Sequence, residues 1–273
     1  MREKSETSKT LRARELGVSR GSLYYQPKIP ERDWQLKCRI EEALRKHPSY
    51  GSPRIALELK RNKKPIERVM KLFGIKAYRR RGRKWKKTKN IKVIYPNLLL
   101  IEYPSYPNHI WTSDFTYIPF QGRTVYVATV MDIFTRRIVG MSVYTTHSVQ
   151  LVLSAFMNAL ASNPRPLIYH SDNGSEYNSL VFVGALETVG ALISRSAPGC
   201  PWENGYQESF YDKFKIDLGD PGRFGTLGEL VYEIYQTIYS YNHDRIHTSL
   251  KMPPERFALL AAGGYNSINK IGV

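Results

Sequence analysis

Three acidic residues, Asp114, Asp172 and Glu208, are candidates for a carboxylate site that binds metal ions. Asp114 lies in the stretch WTSDFTYIP, whose β-branched, hydroxylated and aromatic residues predict a largely buried strand. A carboxylate buried in a strand is costly unless it is paired or binds a metal ion. Asp172 follows a short apolar segment in YHSDNGSEY, and Glu208 lies in the helical stretch ENGYQESFYDKFK. Taken singly, Asp172 is typical of a turn residue and Glu208 of a solvated helix position.

Other acids compete for the third position of such a site. The alternatives are Glu176, Glu203 and Asp212. The first and last of these are typical of surface charges, each four residues beyond a candidate. Asp132 ends a predicted strand before a turn, and we expect it to pair with Arg136 or Arg137 and not with metal.

The elements that would position these acids follow a recognisable order. Three β-rich segments with short connections predict an antiparallel meander over residues 109–120, 123–132 and 137–144. Helices are then predicted over 147–163, 178–189, 202–217 and 226–242, and short strands over 167–170 and 191–194. The order βββαβαβα is that of the ribonuclease-H-like fold, an α/β architecture with three antiparallel strands and two parallel additions.

This fold would bring the three acids together. Its first and fourth strands are neighbours, so Asp114 and Asp172 would lie side by side, and Asp172 would follow the carboxyl end of a parallel strand. The helix that carries Glu208 would lie against their edge. The three side chains therefore form a candidate metal site, and oxygen ligands without His or Cys favour Mg²⁺ over zinc.

The spacing and the sequence around these acids resemble a known family. Thirty-five residues separate Asp172 from Glu208, as in the DD(35)E signature of retroviral-integrase-like transposases. Matching segments are WTSDFTY (111–117), HSDNG (170–174), NGYQESF (204–210) and YNHDRIHTSL (241–250). Upstream, HPSYG (47–51) and the helical region around it are also similar. The chain resembles the OrfB transposases of bacterial insertion sequences that move by copy-out–paste-in.

The resemblance implies a DNA transposase with an integrase catalytic core. Asp114, Asp172 and Glu208 would hold two Mg²⁺ ions, for which Mn²⁺ would substitute, with Asp114 bridging both. The site would hydrolyse a transposon end and then use the freed 3′-OH to attack another DNA strand. We expect Lys215, Arg245 and His247 to contact DNA phosphates. The resemblance also implies a homo-oligomer on DNA and an upstream-frame partner protein or fusion.

Charge is distributed very unevenly along the chain. The net charge is +17, but residues 1–100 hold 29 Lys/Arg and 9 Asp/Glu, while residues 101–273 hold 12 and 15. The basic part therefore predicts a polyanionic partner, double-stranded DNA above all. A dense basic stretch, RRRGRKWKKTK, is interpreted as a phosphate-tracking arm whose predicted DNA contacts are Arg80, Arg81, Arg83, Lys84, Lys86 and Lys87.

The sequence predicts two folded parts joined by this arm. We expect a small helical DNA-binding module over 1–78, with a helix–turn–helix cadence in which Gly17 makes the turn and Ser19 caps the second helix. Ser52 and Pro53 are predicted to cap and begin a further helix. The basic linker would cover 79–104, the catalytic core 105–262 and a tail 263–273.

Composition narrows the classes of protein further. The two cysteines lack metal-ligand or disulfide spacing, and no apolar run approaches 18 residues. We therefore expect a cytoplasmic, nucleoid-associated protein. Two other functions fit parts of the sequence: a non-catalytic DNA-binding regulator or accessory subunit of a transposition complex, and an RNA–DNA hybrid nuclease. The three spaced acids argue against the first, and the helix–turn–helix cadence favours duplex DNA over the second.

Overall fold

The structure is a computed structural model that describes residues 9–19, 21–22, 29–78, 95–197 and 199–269. The basic side chains predicted to form a DNA-contacting arm, Arg80, Arg81, Arg83, Lys84, Lys86 and Lys87, lie outside the described residues. In the described part, no helix is both long and apolar enough to cross a membrane.

Four helices form the N-terminal part of the chain: α1 (Lys9–Glu15), α2 (Ile29–Lys46), α3 (Ser52–Glu58) and α4 (Lys63–Leu72). Gly17, at a φ of +64°, makes the predicted turn after α1. The Ser19 hydroxyl accepts a hydrogen bond from the Ser22 amide at 3.2 Å, and the next six residues are not described. The buried side chains of Ile40, Ile55 and Ile66 form a small core between α2, α3 and α4.

The start of α3 differs from the prediction at one position. Gly51, not Ser52, is the N-cap, because the Gly51 carbonyl already accepts hydrogen bonds from the amides of Arg54 and Ile55. Ser52 is the first helical residue, and its hydroxyl donates to Glu67 on α4. Pro53 is therefore the second helical residue and not the first as predicted, but it still lies in the first turn, where a missing N–H costs no helical hydrogen bond.

A five-stranded sheet follows, with strand order β3-β2-β1-β4-β5. Its strands are β1 (Ile110–Phe120), β2 (Arg123–Asp132), β3 (Ile138–Tyr144), β4 (Ile168–Ser171) and β5 (Leu192–Arg195). The first three are antiparallel, and β4 and β5 run parallel to β1. The predicted order of elements and the mixed sheet are confirmed, with strand ends displaced by about one residue at most positions.

Helices cover both faces of the sheet. On one face, α5 (Val149–Ser162) and α6 (Leu180–Thr188) pack against Trp111 and Val130. On the other, α7 (Gly205–Leu218) and α8 (Leu227–His243) pack against Ile118 and Val127. A last helix, α9 (Pro254–Asn269), follows α8. The predicted helix over 202–217 is thus divided into a 3₁₀ turn, Pro201–Asn204, and α7.

Gly140 allows α5 to approach β3 unusually closely. A Cβ atom at this position would lie 2.7 Å from the Ala159 Cβ and would also overlap the Ala155 backbone carbonyl. We expect Gly140→Ala to lower the free energy of unfolding by about 1–3 kcal/mol, because two rigid elements must separate. Urea unfolding measures this; Gly184→Ala on α6, where the added Cβ meets no atom, is the control. An equal effect of both substitutions would show that the close contact is not limiting.

A buried polar junction joins the N-terminal helices to the sheet domain. Arg245, only 3% exposed, donates from Nε to Asp217 Oδ2 at 2.8 Å and from Nη2 to the Ser49 hydroxyl at 2.7 Å. Ser49 in turn donates to Asp217 Oδ1. The Tyr50 hydroxyl accepts a hydrogen bond from the Ile246 amide at 2.7 Å. The HPSYG segment and the segment after α8 therefore form one interface.

Candidate active site

Asp114 and Asp172 are neighbours at the end of the parallel strand pair. Residues 110–113 of β1 pair in register with 168–171 of β4, so the next position on each chain is an aspartate. Residues opposite each other in a sheet point to the same face. Asp114 also pairs with Thr129 of β2, whose side chain contacts α7. Both aspartates are therefore directed toward the face that α7 covers.

Asp114 is closely surrounded by protein but keeps part of its surface open to solvent. Its Oδ1 accepts a hydrogen bond from the Phe115 amide at 2.8 Å. The pKa of Asp114 is raised to about 8, chiefly by burial and also by the charges of Asp172 and Glu208, whereas the Phe115 amide and Lys215 act in the opposite direction. A bound cation would offset the cost of burying the charged Asp114 carboxylate and its repulsion from Asp172 and Glu208.

Asp172 begins a tight loop that also contains Glu176. The Gly174 amide donates to Asp172 Oδ1 at 3.1 Å. Burial raises the pKa of Asp172, and the charge of Glu176 adds to this rise. A Cβ on Gly174 would lie 3.1 Å from Asp172 Oδ1 and 3.2 Å from Glu176 Oε2, so the glycine leaves room for both carboxylates.

The expectation that Glu176 is a surface charge is wrong. Its side chain is buried, and its Oε1 accepts a hydrogen bond from the Ser175 hydroxyl and lies 3.3 Å from His147 Nε2. His147 in turn packs against the rings of Phe115 and Tyr126. Glu176 is therefore held beside Asp172 from the opposite face of the sheet.

Glu208 lies in the first turn of α7 and is exposed. Burial raises its pKa, and the charge of Asp212 one turn later raises it too. The Lys215 amine, two turns along the same helix, lies 5.1 Å from the centre of the Tyr117 ring. The charges of Glu208 and Lys215 both affect the pKa of Asp114, so the three groups are close enough to interact electrostatically.

The two alternatives to Glu208 have different surroundings. Glu203 Oε2 accepts hydrogen bonds from the Ala197 amide at 2.7 Å and from Asn97 Nδ2 at 2.8 Å, so it holds the turn before α7 in place. Asp212 is exposed and lies one turn further along α7.

The predicted pairing of Asp132 with an arginine is wrong. Asp132 accepts hydrogen bonds from the Thr135 hydroxyl at 2.6 Å and from the Phe134 amide, so its own turn satisfies it. Arg137 pairs instead with Glu255 of α9, and Arg136 lies over the Tyr206 ring. A short local contact costs less conformational entropy than ordering a long arginine side chain.

A buried polar network that the sequence did not reveal fixes α7 on the sheet. Gln207 is fully buried and donates from Nε2 to the Thr112 carbonyl at 2.7 Å and to the Thr129 carbonyl. The Tyr211 hydroxyl donates to the Asp114 carbonyl at 2.7 Å. Asn204 Oδ1 accepts a hydrogen bond from the Thr112 hydroxyl. The only sequence signal is the placement of polar residues at helical spacing on both sides of Glu208.

The donor set of the site suits a hard cation. Its candidate ligands are carboxylate oxygens, and the pKa of Asp114 is raised first by burial and then by the negative charges of Asp172 and Glu208. Across the described ranges, no group of three or more His, Cys, Asp or Glu side chains is close enough together to hold a metal ion as it stands. Asp114 and Asp172 are fixed by strands, so the exposed Glu208 side chain is the member that would have to move.

The predicted DNA contacts on the C-terminal segment lie away from this site. Arg245 is buried in the junction with Asp217 and Ser49. His247 lines a separate cavity, and burial lowers its pKa to about 4, with Arg136, Arg54 and Arg245 adding to the effect.

Comparisons with known proteins show which family the chain belongs to. Two profiles described as "Integrase core domain" match residues 104–201 and 189–254. The transposase of insertion sequence element IS904 from Lactococcus lactis is 35% identical over 229 residues, covering 79% of this chain and 89% of the relative. A 31 kDa protein of insertion element IS600 from Shigella sonnei is 30% identical over 252 residues, covering 86% and 92%.

One solved structure supports the fold. A chain in the cryo-EM structure of a simian T-cell lymphotropic virus intasome in complex with PP2A regulatory subunit B56 gamma aligns with a TM-score of 0.51. The identity is 16%, and the alignment covers 76% of this chain and 74% of that one.

Proposed function

Because this chain belongs to the integrase-core transposases of bacterial insertion sequences, we propose that Asp114, Asp172 and Glu208 are the catalytic residues of its DNA transposase activity. The observation that carries this assignment is the register of β1 and β4, which places Asp114 beside Asp172. Glu208 approaches them from α7 and contributes to the raised pKa of Asp114.

The chemistry follows from what phosphodiester cleavage requires. The family is a polynucleotidyl transferase family that depends on divalent metal ions, and two bound Mg²⁺ ions would activate the attacking water or 3′-OH and stabilise the leaving oxygen. The three carboxylates would hold these ions, and Mn²⁺ would replace them. Gln207 and Tyr211 keep α7 fixed against β1, so they set the distance between Glu208 and the aspartates. Lys215 would contact a substrate phosphate beside Tyr117.

DNA and further copies of the chain complete the reaction. The family binds DNA and assembles on it as oligomers, and we propose at least a dimer so that two transposon ends meet. The basic N-terminal part, residues 1–78, would grip the duplex, and residues 105–262 would form the catalytic core. A protein from an upstream reading frame, separate or fused, would add further DNA binding.

One assay separates this function from its alternatives. The purified chain is incubated with Mg²⁺ and either a duplex ending in the terminal sequence of its own element, an unrelated duplex, or an RNA–DNA hybrid. We expect cleavage and strand transfer with the matched end only. Cleavage of the hybrid alone would indicate a hybrid nuclease, and binding of the matched end without cleavage under all metal conditions would indicate a regulator.

The role of Asp114 can also be tested without an activity assay, through the pH dependence of thermal stability. In the unfolded chain Asp114 ionises near 3.8, whereas burial keeps it protonated to about 8 in the fold. The folded state therefore binds the extra proton between these values, and its stability falls as the pH rises through this window. We expect thermal unfolding in EDTA to show this loss in the wild type, and Mg²⁺ to restore more stability at about pH 8 than at about pH 6.

The control for this measurement is Asp114→Asn, which keeps the shape of the side chain but carries no charge. Its melting temperature should depend less on pH and respond less to Mg²⁺. The same pH slope and the same Mg²⁺ effect in both proteins would remove Asp114 from the metal site.

A further inference from the structure

We propose that a second, anion-binding pocket behind α7 takes a backbone phosphate of the bound DNA. Basic side chains and an imidazole from four separate segments line one cavity of about 190 Å³. The segments contribute Arg54 from α3, Arg136 from the β2–β3 turn, Lys213 from α7 and His247 from the segment after α8. This inference rests on the proposed function only in that the anion belongs to DNA.

Three nitrogen atoms in these side chains are prepared for a ligand. The Nε of Arg54, the Nη1 of Arg136 and the Nδ1 of His247 are buried, and none has a hydrogen-bond partner among the described residues. A buried donor without a partner costs free energy, so such groups are normally satisfied. An oxyanion in the cavity would accept hydrogen bonds from several of them at once.

The turn and a neighbouring ring fix where the Arg136 guanidinium lies. Arg136 has a φ of +63°, in the left-handed region that residues with side chains rarely adopt. Its guanidinium lies 4.1 Å from the centre of the Tyr206 ring, which orients it.

Positive charge in the cavity is not balanced. Of the described residues that line it, none is acidic. Arg245 also lines it, but Asp217 already neutralises that guanidinium. Burial lowers the pKa of Arg54, and the charge of Arg245 lowers it further. The cluster therefore repels itself until an anion enters.

The pocket and the carboxylates lie on different faces of α7. Residues 205, 209 and 213, which line the pocket, recur every four positions along one face of the helix. Glu208 and Lys215, seven positions apart, share a second face roughly a third of a turn away around the helix axis. A helix with its side chains is about 10–12 Å across, similar to the width of the major groove of B-DNA. One duplex could therefore place one phosphate at the carboxylates and another in the pocket.

The first test uses inorganic phosphate on the full chain without DNA. At constant ionic strength, phosphate in about tenfold excess over its Kd should raise the melting temperature of the wild type by roughly 3 °C relative to chloride. Arg54→Gln and Arg136→Gln should lose this shift while melting in chloride at the wild-type temperature or above, because each relieves repulsion. If a variant melts below the wild type by the same number of degrees in chloride as in phosphate, the arginine is structural and the proposal fails.

The second test measures DNA binding as a function of salt. Each lost phosphate contact should reduce the slope of log Kd against log salt by about one. We expect this for Arg136→Gln but not for Arg123→Gln, an exposed arginine at the far end of β2. Phosphate stabilisation with unchanged DNA slopes would mean that the pocket takes a free phosphate ligand and would overturn the DNA assignment.

The proposed catalytic function is tested separately, by measuring cleavage and DNA binding of a further variant under the same conditions. Asp114→Asn should lose cleavage but keep the wild-type salt slope. If Asp114→Asn still cleaves DNA, the carboxylate assignment fails, and the slopes of the arginine variants still decide the pocket.

Discussion

Asp114→Asn is expected to abolish strand cleavage while the protein still folds and binds DNA. The amide keeps the size of the carboxylate but not its charge, so one of the carboxylates that would hold the metal ions is lost. Removing even an outer partner of a metal ligand costs about 10–100-fold in affinity or activity, and a direct ligand should cost more. Because burial and repulsion already raise the pKa of Asp114, the variant should melt at the wild-type temperature or higher without metal.

The same experiment assigns the third carboxylate. Asp172→Asn and Glu208→Gln should lose cleavage to a similar degree. Asp212→Asn is the matched control one turn along α7 and should remain active. Glu203→Gln should act through stability, since Glu203 holds the Ala197 amide and Asn97. Near-normal cleavage by Glu208→Gln together with loss in Asp212→Asn would move the third ligand to Asp212.

Arg245→Leu is expected to lower the free energy of unfolding by about 3–5 kcal/mol. The guanidinium is almost fully buried and holds Asp217 and Ser49 together across the junction between the N-terminal helices and α7. Removing it leaves the Asp217 carboxylate without its charged partner. Equilibrium urea unfolding measures the change directly.

An exposed ion pair provides the control for this prediction. Arg223 lies 3.0 Å from Glu233, with about half of the arginine side chain exposed. Arg223→Leu should cost less than about 1 kcal/mol, because solvent screens the pair. The double variant Arg245→Met with Asp217→Leu should recover part of the loss, since a buried pair can be replaced by apolar packing. A cost as small as that of Arg223→Leu would show that the junction does not stabilise the fold.

The junction also connects stability to catalysis. Asp217 lies on α7, nine residues after Glu208 on the same helix. The N-terminal helices therefore contact the helix that carries the proposed third ligand, and the pocket lined by Arg54 and Lys213 spans the same boundary. DNA bound by the basic N-terminal part would therefore lie next to α7, which contacts both the N-terminal helices and the sheet.

The sequence by itself determined the order of the elements and singled out the two aspartates of the proposed site. Alternation in β1 and β2 and helical spacing in α5 are local patterns, because side-chain period depends only on the backbone conformation. Asp114 was conspicuous because it interrupted an apolar strand. The 35-residue interval between Asp172 and Glu208 is likewise a property of the chain alone.

Only the tertiary structure decided which charged side chain meets which partner. Asp132 bonds to its own turn, Glu176 is buried against His147, and Arg245 pairs with Asp217 28 residues earlier in the chain. The partners of Glu176 and Arg245 are brought close by the packing of distant elements. Spacing along the chain does not tell which side chains that packing brings together. The same holds for the pocket at Arg136, whose four segments meet only after α3, α7 and the sheet have packed.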